Sequence, residues 1–304
     1  MNVCRLFCAI CLLCALCFPA SAEPYAFVDD LGNQITVPCP PSKAVALHGS
    51  FAEAYLLAGG SLIGVTEDAA SERGLDLPDG TQIIGTLHMP NLELILNLEP
   101  DFVILSSDME SHIEIGRALR EMGIPAAFYS VNHYTEYMDM MAQFTAIADH
   151  PERFAEQIEQ IQAPIEATIA RAKAQPAYWQ HTALFIRAFS TGAKAKGSDS
   201  LGGAILKDMG LVNIADGENT VLEDISIEEI IARDPDYIFA VPMGVEPAKA
   251  MDALAERLID NPAWGGLTAV REGRYHVLPK ELFHLKPNAD WGDAYELLEE
   301  ILYP

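Results

Sequence analysis

Beyond residue 22 the 304-residue chain has a single cysteine, Cys39, because Cys4, Cys8, Cys11, Cys14 and Cys17 all sit in the first 17 positions. A disulfide framework and a cysteine metal cage are therefore excluded downstream of that segment. Positive charge is scarce too: 19 Lys and Arg stand against 44 Asp and Glu, for a formal charge of −25. So acidic a chain argues against nucleic acid or anionic membrane as a partner. No apolar run after residue 22 is long enough to span a bilayer. Glycine signatures are missing as well. "GSDSLGG" (197–203) lacks both the Lys-Ser/Thr ending of a phosphate loop and the G-x-G-x-x-G of a dinucleotide site, and "LHGSFAE" around Ser50 lacks G-x-S-x-G. Both read better as turns leading into helices. A secreted hydrolase built on His48 and Ser50 is kept only as a remote alternative.

What is present begins with residues 1–22: Arg5, an apolar run to Phe18, then Ala20-Ser21-Ala22. That is the pattern of a cleaved signal peptide, so the expected location is periplasmic. Losing Arg5 with the segment takes the formal charge from −25 to −26. An N-terminal anchor is the bland alternative. A lipid anchor on Cys17 is disfavoured, because "CAL" before it lacks the small residue expected beside such a cysteine.

From Ala44 to Ser130 the runs "AVALH", "LIGVT", "QIIGT", "FVILSS" and "AAFYS" alternate with helical patterns. They are continuously apolar, as strands buried on both faces should be, and the alternation implies a parallel sheet. Residues 150–176 then carry Phe154, Ile158, Ile161, Ile165 and Ile169 at helical spacing, with Pro164 expected to bend the helix. At ~1.5 Å per residue such a helix reaches about 37 Å, enough to cross between domains. After it the pattern resumes with "TALFIRAF", "LVNIAD", "YIFAVP" and "RYHVLP", and a closing helix spans 291–302. The expected fold is α/β: a lobe over 23–149, a bridging helix over 150–176 and a second lobe over 177–304, each lobe Rossmann-like with a parallel sheet.

The halves also echo each other in sequence. "NLELILNLEPDFVIL" (91–105) lies over "SIEEIIARDPDYIFA" (226–240), matching Asn91 with Ser226 and Glu93 with Glu228, and a fainter echo sets Gly60 on Gly210. If Asn91 and Ser226 are N-caps, both glutamates lie in a first helical turn, where the helix dipole favours a carboxylate. Singly, either glutamate reads as an ordinary local stabiliser; duplicated in equivalent places, the two point to docking.

"FVDDLGNQITVP" (27–38), "SFAEAYLLAGGSLIGVT" (50–66), "PNLELILNLEPDFVIL" (90–105) and "LEDISIEEIIARDPDYIF" (222–239) together resemble the periplasmic iron-complex and cobalamin-binding proteins of bacterial ABC importers. The resemblance covers nearly the whole chain past residue 22. It implies a non-enzymatic, monomeric binding protein that holds a chelated iron, haem or corrinoid-type ligand between its lobes. It also implies an inner-membrane permease dimer as partner, engaged through Glu93 and Glu228.

Ligands of open parallel sheets bind beyond the carboxyl ends of the strands. The candidates there are His48, Ser50, Leu87, His88, Arg187, Lys194, Phe283 and His284. Arg187 and Lys194, with Lys196 nearby, suit an anionic ligand, although solvated surface charge is the plainer reading of the lysines. A cobalamin binder of the family sets a tryptophan against its ligand where this chain has Leu87, which disfavours a corrinoid; Phe283 and Trp291 are the aromatic faces that remain. No cofactor and no protein-held metal is expected, the metal belonging to the chelate. The alternative is a bare zinc or manganese ion held by His48, His88, His112 and His284. Each histidine alone reads as one that bonds a backbone carbonyl.

Overall fold

The computed structural model describes residues 23–217, 226–244 and 246–304. The expected signal segment 1–22 and Leu222 to Ile225 of the second repeat lie outside the described residues. An antiparallel hairpin, β1 (Tyr25–Val28) and β2 (Gln34–Val37), opens the fold, with Phe27, Ile35 and Val37 turned inward. The first sheet is wholly parallel: β3 (Ala44–Ala46), β4 (Leu62–Val65), β5 (Gln82–Ile83), β6 (Phe102–Ser106) and β7 (Ala126–Tyr129), in the order β5-β4-β3-β6-β7. Its helices are α1 (Gly49–Leu57), α2 (Asp68–Ser71), α3 (Leu92–Asn97), α4 (Glu110–Glu121) and α5 (Tyr134–Ile147), followed by the connector α6 (Glu152–Lys173). β3 is thus the switch strand, with the chain winding outward on one side of it and returning on the other.

The second sheet repeats the plan. β8 (His181–Phe189) is flanked by β10 (Leu211–Asn213) on one edge and by β11 (Tyr237–Pro242) and β12 (Tyr275–Val277) on the other, all parallel. One strand departs from the expected parallel arrangement. β9 (Gly192–Ala195) folds straight back on the end of β8 as an antiparallel partner, filling the edge above the short β10. The helices here are α7 (Leu201–Asp208), α8 (Ile227–Arg233), α9 (Pro247–Leu254), α10 (Thr268–Arg271), α11 (Lys280–Phe283) and the closing α12 (Trp291–Leu302). The fainter echo is off by one residue. The left-handed stop after α1 is Gly59 (φ 92°), not Gly60, and its counterpart after α7 is Gly210 (φ 87°). A residue with a Cβ is disfavoured in that conformation.

The connector is the joint of the molecule. Over its 22 residues α6 turns Ile158, Ile161, Ile165, Thr168 and Ala172 inward, while Phe154 and Ile169 pack at the margin. Pro164 lies within it. One continuous core runs from Phe51, Tyr129 and Phe144 through these isoleucines to Phe185, Phe239 and Trp291. Two smaller cores cover the outer faces, around Val45 and Phe128 for the first sheet and around Ile186 and Trp264 for the second. Outside the stripe, Arg171 donates to both oxygens of Glu299 at 2.6 Å, a bidentate clamp from α6 to α12.

The chain after β12 does not stay within its own lobe. The stretch 280–290 crosses to the first: Asn288 donates its side-chain amide to the Ser50 carbonyl at 2.8 Å and to Glu53 at 2.6 Å, and Lys280 stands 3.9 Å from Glu72.

Because the core is shared, Ile165→Ala should lower stability by about 2–5 kcal/mol. Urea denaturation should still show one cooperative transition for both lobes; two separate transitions would contradict a common core.

Candidate functional site

The site forms where the two switch strands end. β3 delivers His48 and Ser50, and β8 delivers Arg187 and Phe189, to a cleft of about 530 Å³ between the sheets. Open parallel sheets leave their crevice at this place, because neighbouring connections part in opposite directions there.

Of the residues expected from sequence, His48, Ser50, Leu87, His88, Arg187 and His284 line the cleft together. Two do not. Lys194 is exposed: alternation along β9 buries Ala193 and Ala195 and turns it outward, and Lys196 is the lysine that reaches the cleft. Phe283 is fully buried in the shared core, as is Trp291, so neither offers a face to a ligand. Arg73, Asn132 and Lys286 line the cleft without having been singled out. Asn132 comes just after β7, so the strand-end rule itself points to it. Arg73 and Lys286 lie on the far side of a short helix from their strands, where that rule does not reach.

The walls hold four cationic side chains, Arg73, Arg187, Lys196 and Lys286, facing Asp68, Glu72, Asp108 and Asp199. In a chain with 19 basic residues against 44 acidic ones, this even balance makes the cleft rich in cations relative to the rest of the molecule. Burial pulls Arg73, Arg187 and Lys286 below their ordinary pKa ranges; for Lys286, Asp108 opposes that pull. Arg73 pairs with Glu53, which in turn takes the amide of Asn288. Some buried polar atoms lack a hydrogen-bond partner among the described residues: Nε of Arg187, Nδ1 of His284, the Ser50 hydroxyl and Oδ1 of Asp68. The other oxygen of Asp68 accepts the amide of Gly49 at 2.7 Å. Unpaired buried polar atoms cost about 1–3 kcal/mol each, a cost that a hydrogen-bonding ligand relieves.

The histidines divide into two kinds. His112 sits behind the wall, its Nδ1 accepting the Ser106 amide at 3.1 Å and its Nε2 donating to the Leu87 carbonyl at 2.8 Å. Both nitrogens are used, so it holds the Leu87–His88 loop in place and is not open to a metal. His48 faces the cleft, stacked on Phe51 at 4.6 Å, and its Nδ1 accepts the backbone amide of Ser50 at 3.2 Å. That bond goes to the amide of Ser50 and not to its hydroxyl, so the two are not arranged as base and nucleophile. Burial, helped by the cleft cations, holds His48 well below its usual range and brings His284 to about 3. Both are neutral imidazoles at neutral pH. Among the described residues no three His, Cys, Asp or Glu side chains gather into a metal-holding group. No described helix is long and apolar enough to cross a membrane.

Glu93 and Glu228 are both exposed, in the first turns of α3 and α8. Asn91 caps α3 by accepting the amides of Glu93 and Leu94, and Ser226 caps α8 by accepting the amide of Glu229. The backbone amide of Glu228 itself, and after it the Ser226 hydroxyl, which donates to the carboxylate at 2.9 Å, hold Glu228 below its ordinary range. α3 precedes β6 and α8 precedes β11, each strand lying directly beside its switch strand. The two carboxylates therefore occupy equivalent places in the two lobes.

Residues 45–282 match the model of the family described as periplasmic binding protein. The Fe(3+)-citrate-binding protein YfmC of Bacillus subtilis (strain 168) is 26% identical over 254 residues, covering 82% of this chain and 76% of the relative. Among solved structures, Staphylococcus aureus IsdE complexed with heme superposes with a TM-score of 0.73 at 17% identity, over 86% of this chain and 99% of the other. Staphylococcus aureus SirA complexed with staphyloferrin B gives 0.71 at 19%, over 91% and 98%. At such identities these structures establish the fold.

The buried histidines make stability depend on pH. His284 titrates near 3 in the fold and near 6.5 when freed, so below about pH 6.5 the unfolded chain takes up a proton that the fold refuses. Stability is full above that pH and falls by about 1.4 kcal/mol per pH unit per such histidine as pH drops towards 3. Urea unfolding at a series of pH values should show His284→Gln reducing this slope by about one proton; an unchanged slope would refute the assignment.

Proposed function

The chain belongs to the periplasmic binding protein family, and on that premise we propose that it captures a carboxylate-rich ferric chelate of the citrate type and delivers it to an ABC permease. One observation carries the reading: in a strongly acidic chain, the cleft between the two switch strands gathers Arg73, Arg187, Lys196 and Lys286, with a donor on Arg187 that has no partner among the described residues. Guanidinium and ammonium groups in a partly desolvated cleft recognise carboxylates well, and the cleft volume is ordinary for a small-molecule site. The iron-citrate relative supports the same ligand class. The metal arrives as part of the cargo and needs no protein cage.

Haem is a second reading, supported by the neutral His48 and His284 imidazoles, since only an unprotonated nitrogen can bind iron axially. Residues 1–22 act in this reading as an export signal, and the protein works as a monomer outside the cytoplasm. Its two lobes close modestly on the cargo, because α6 is held along its length. Glu93 and Glu228 then take arginines of a two-fold permease, the capped first turns having already fixed their orientation.

Calorimetric titration with ferric citrate, beside a haem titration followed by absorbance, should show binding of ferric citrate. Arg187→Ala should weaken it about tenfold or more, the range for a lost charge-assisted hydrogen bond. Haem binding without ferric citrate binding would select the second reading. Glu93→Ala combined with Glu228→Ala should abolish uptake into cells and leave affinity nearly unchanged; an equal loss of affinity would place those residues in the cleft.

A further inference from the structure

We propose that Asp108 is a resident counter-ion, standing at the anion position of the cleft until a carboxylate of the cargo displaces it. The inference deepens the anion-binding reading above and rests on it.

Lys286 belongs to the stretch that crosses from the second lobe. Its side chain is only 11% exposed, yet its ammonium is poorly satisfied: the Asn132 side-chain oxygen accepts from Nζ at 3.3 Å, and the nearest Asp108 oxygen stands at 3.7 Å. The first contact is at the long end for a hydrogen bond and the second is beyond it. A buried ammonium has three N–H donors and a large desolvation cost, so a closer anion would bind it more strongly than Asp108 does. Arg187, across the same cavity, feels Asp108 as its first acidic neighbour, with Asp199 the second, and its Nε has no hydrogen-bond partner among the described residues. One carboxylate therefore balances two cations from the opposite lobe, and contacts neither closely.

Asp108 itself is held for easy removal. Its side chain is 43% exposed, and its other oxygen accepts the Ser130 hydroxyl at 2.9 Å, on its own lobe. At 43% exposed it has water to turn to, whereas Lys286, at 11%, has no comparable route to solvent. Glu136 adds a weaker field at Lys286 and forms the capping box of α5 instead of contacting the ammonium. The exchange involves no covalent step: a cargo carboxylate takes the place beside Lys286 and Arg187, and Asp108 swings to solvent. The expected signature is unusual for a residue lining a binding cleft, because removing the charge should improve binding.

Calorimetry with ferric citrate at fixed ionic strength should show Asp108→Asn binding about fivefold tighter, the order set by one partly exposed ion pair. Lys286→Gln should bind several-fold more weakly, and in the double variant the gain from Asp108→Asn should vanish. Weaker or unchanged binding by Asp108→Asn, or a gain that survives loss of Lys286, would overturn the proposal. A ligand-free arm separates this from the choice of cargo. NMR titration of the Lys286 ammonium should give a lower pKa in Asp108→Asn than in the unsubstituted protein; no change would overturn the counter-ion role. Failure of the unsubstituted protein to bind ferric citrate, with that drop still present, would instead remove the citrate reading.

Discussion

The isoleucine stripe of α6 is the contact on which the rest of the structure depends. Ile158, Ile161 and Ile165 lie in the same core as Tyr129 and Phe144 of the first lobe and Phe185 and Trp291 of the second. Burying such side chains stabilises by roughly 1.5–3 kcal/mol each. The stripe therefore does more than span a gap, for it fixes how the carboxyl ends of β3 and β8 face each other. The Arg171–Glu299 clamp and the Asn288 amide add polar contacts at the two margins of the same joint. With the frame held, the cleft residues can keep unpaired donors without the lobes collapsing onto them.

The electrostatics of the cleft follow from that rigidity. Four cations and four acids line it, and burial works against the charges of Arg73, Arg187 and Lys286. The imidazoles respond by staying neutral; the arginines cannot, and Lys286 is kept between an acid and an amide from the other lobe. Charge that is fixed in place and incompletely paired is poised for an anion carrying several oxygens.

Much of the fold was legible because its signals are local and repeated. Continuous apolar runs marked the strands buried on both faces, and the duplicated Asn91/Ser226 corner marked α3 and α8 before any contact was known. The antiparallel β9 was not legible, since the two-residue turn Ser190-Thr191 after the apolar run "TALFIRAF" leads into a strand of only "GAKA", too short and too weakly apolar to be told from a loop. At the site, strand-end residues such as His48 and Arg187 followed from topology alone. Phe283 and His284 show the limit: they are adjacent, yet one helical step sends the first into the core and leaves the second facing the cleft. Lys286 was hidden for a different reason, because its place depends on a crossing between lobes that no local pattern encodes.

That crossing has a mechanical consequence. A connector stitched to both halves has little give, and the stretch 280–290 ties the same two halves a second time. This segment carries His284 and Lys286 into the cavity and Asn288 onto the opposite wall. Any widening of the cavity therefore has to break this seam as well as the contacts made by the cargo.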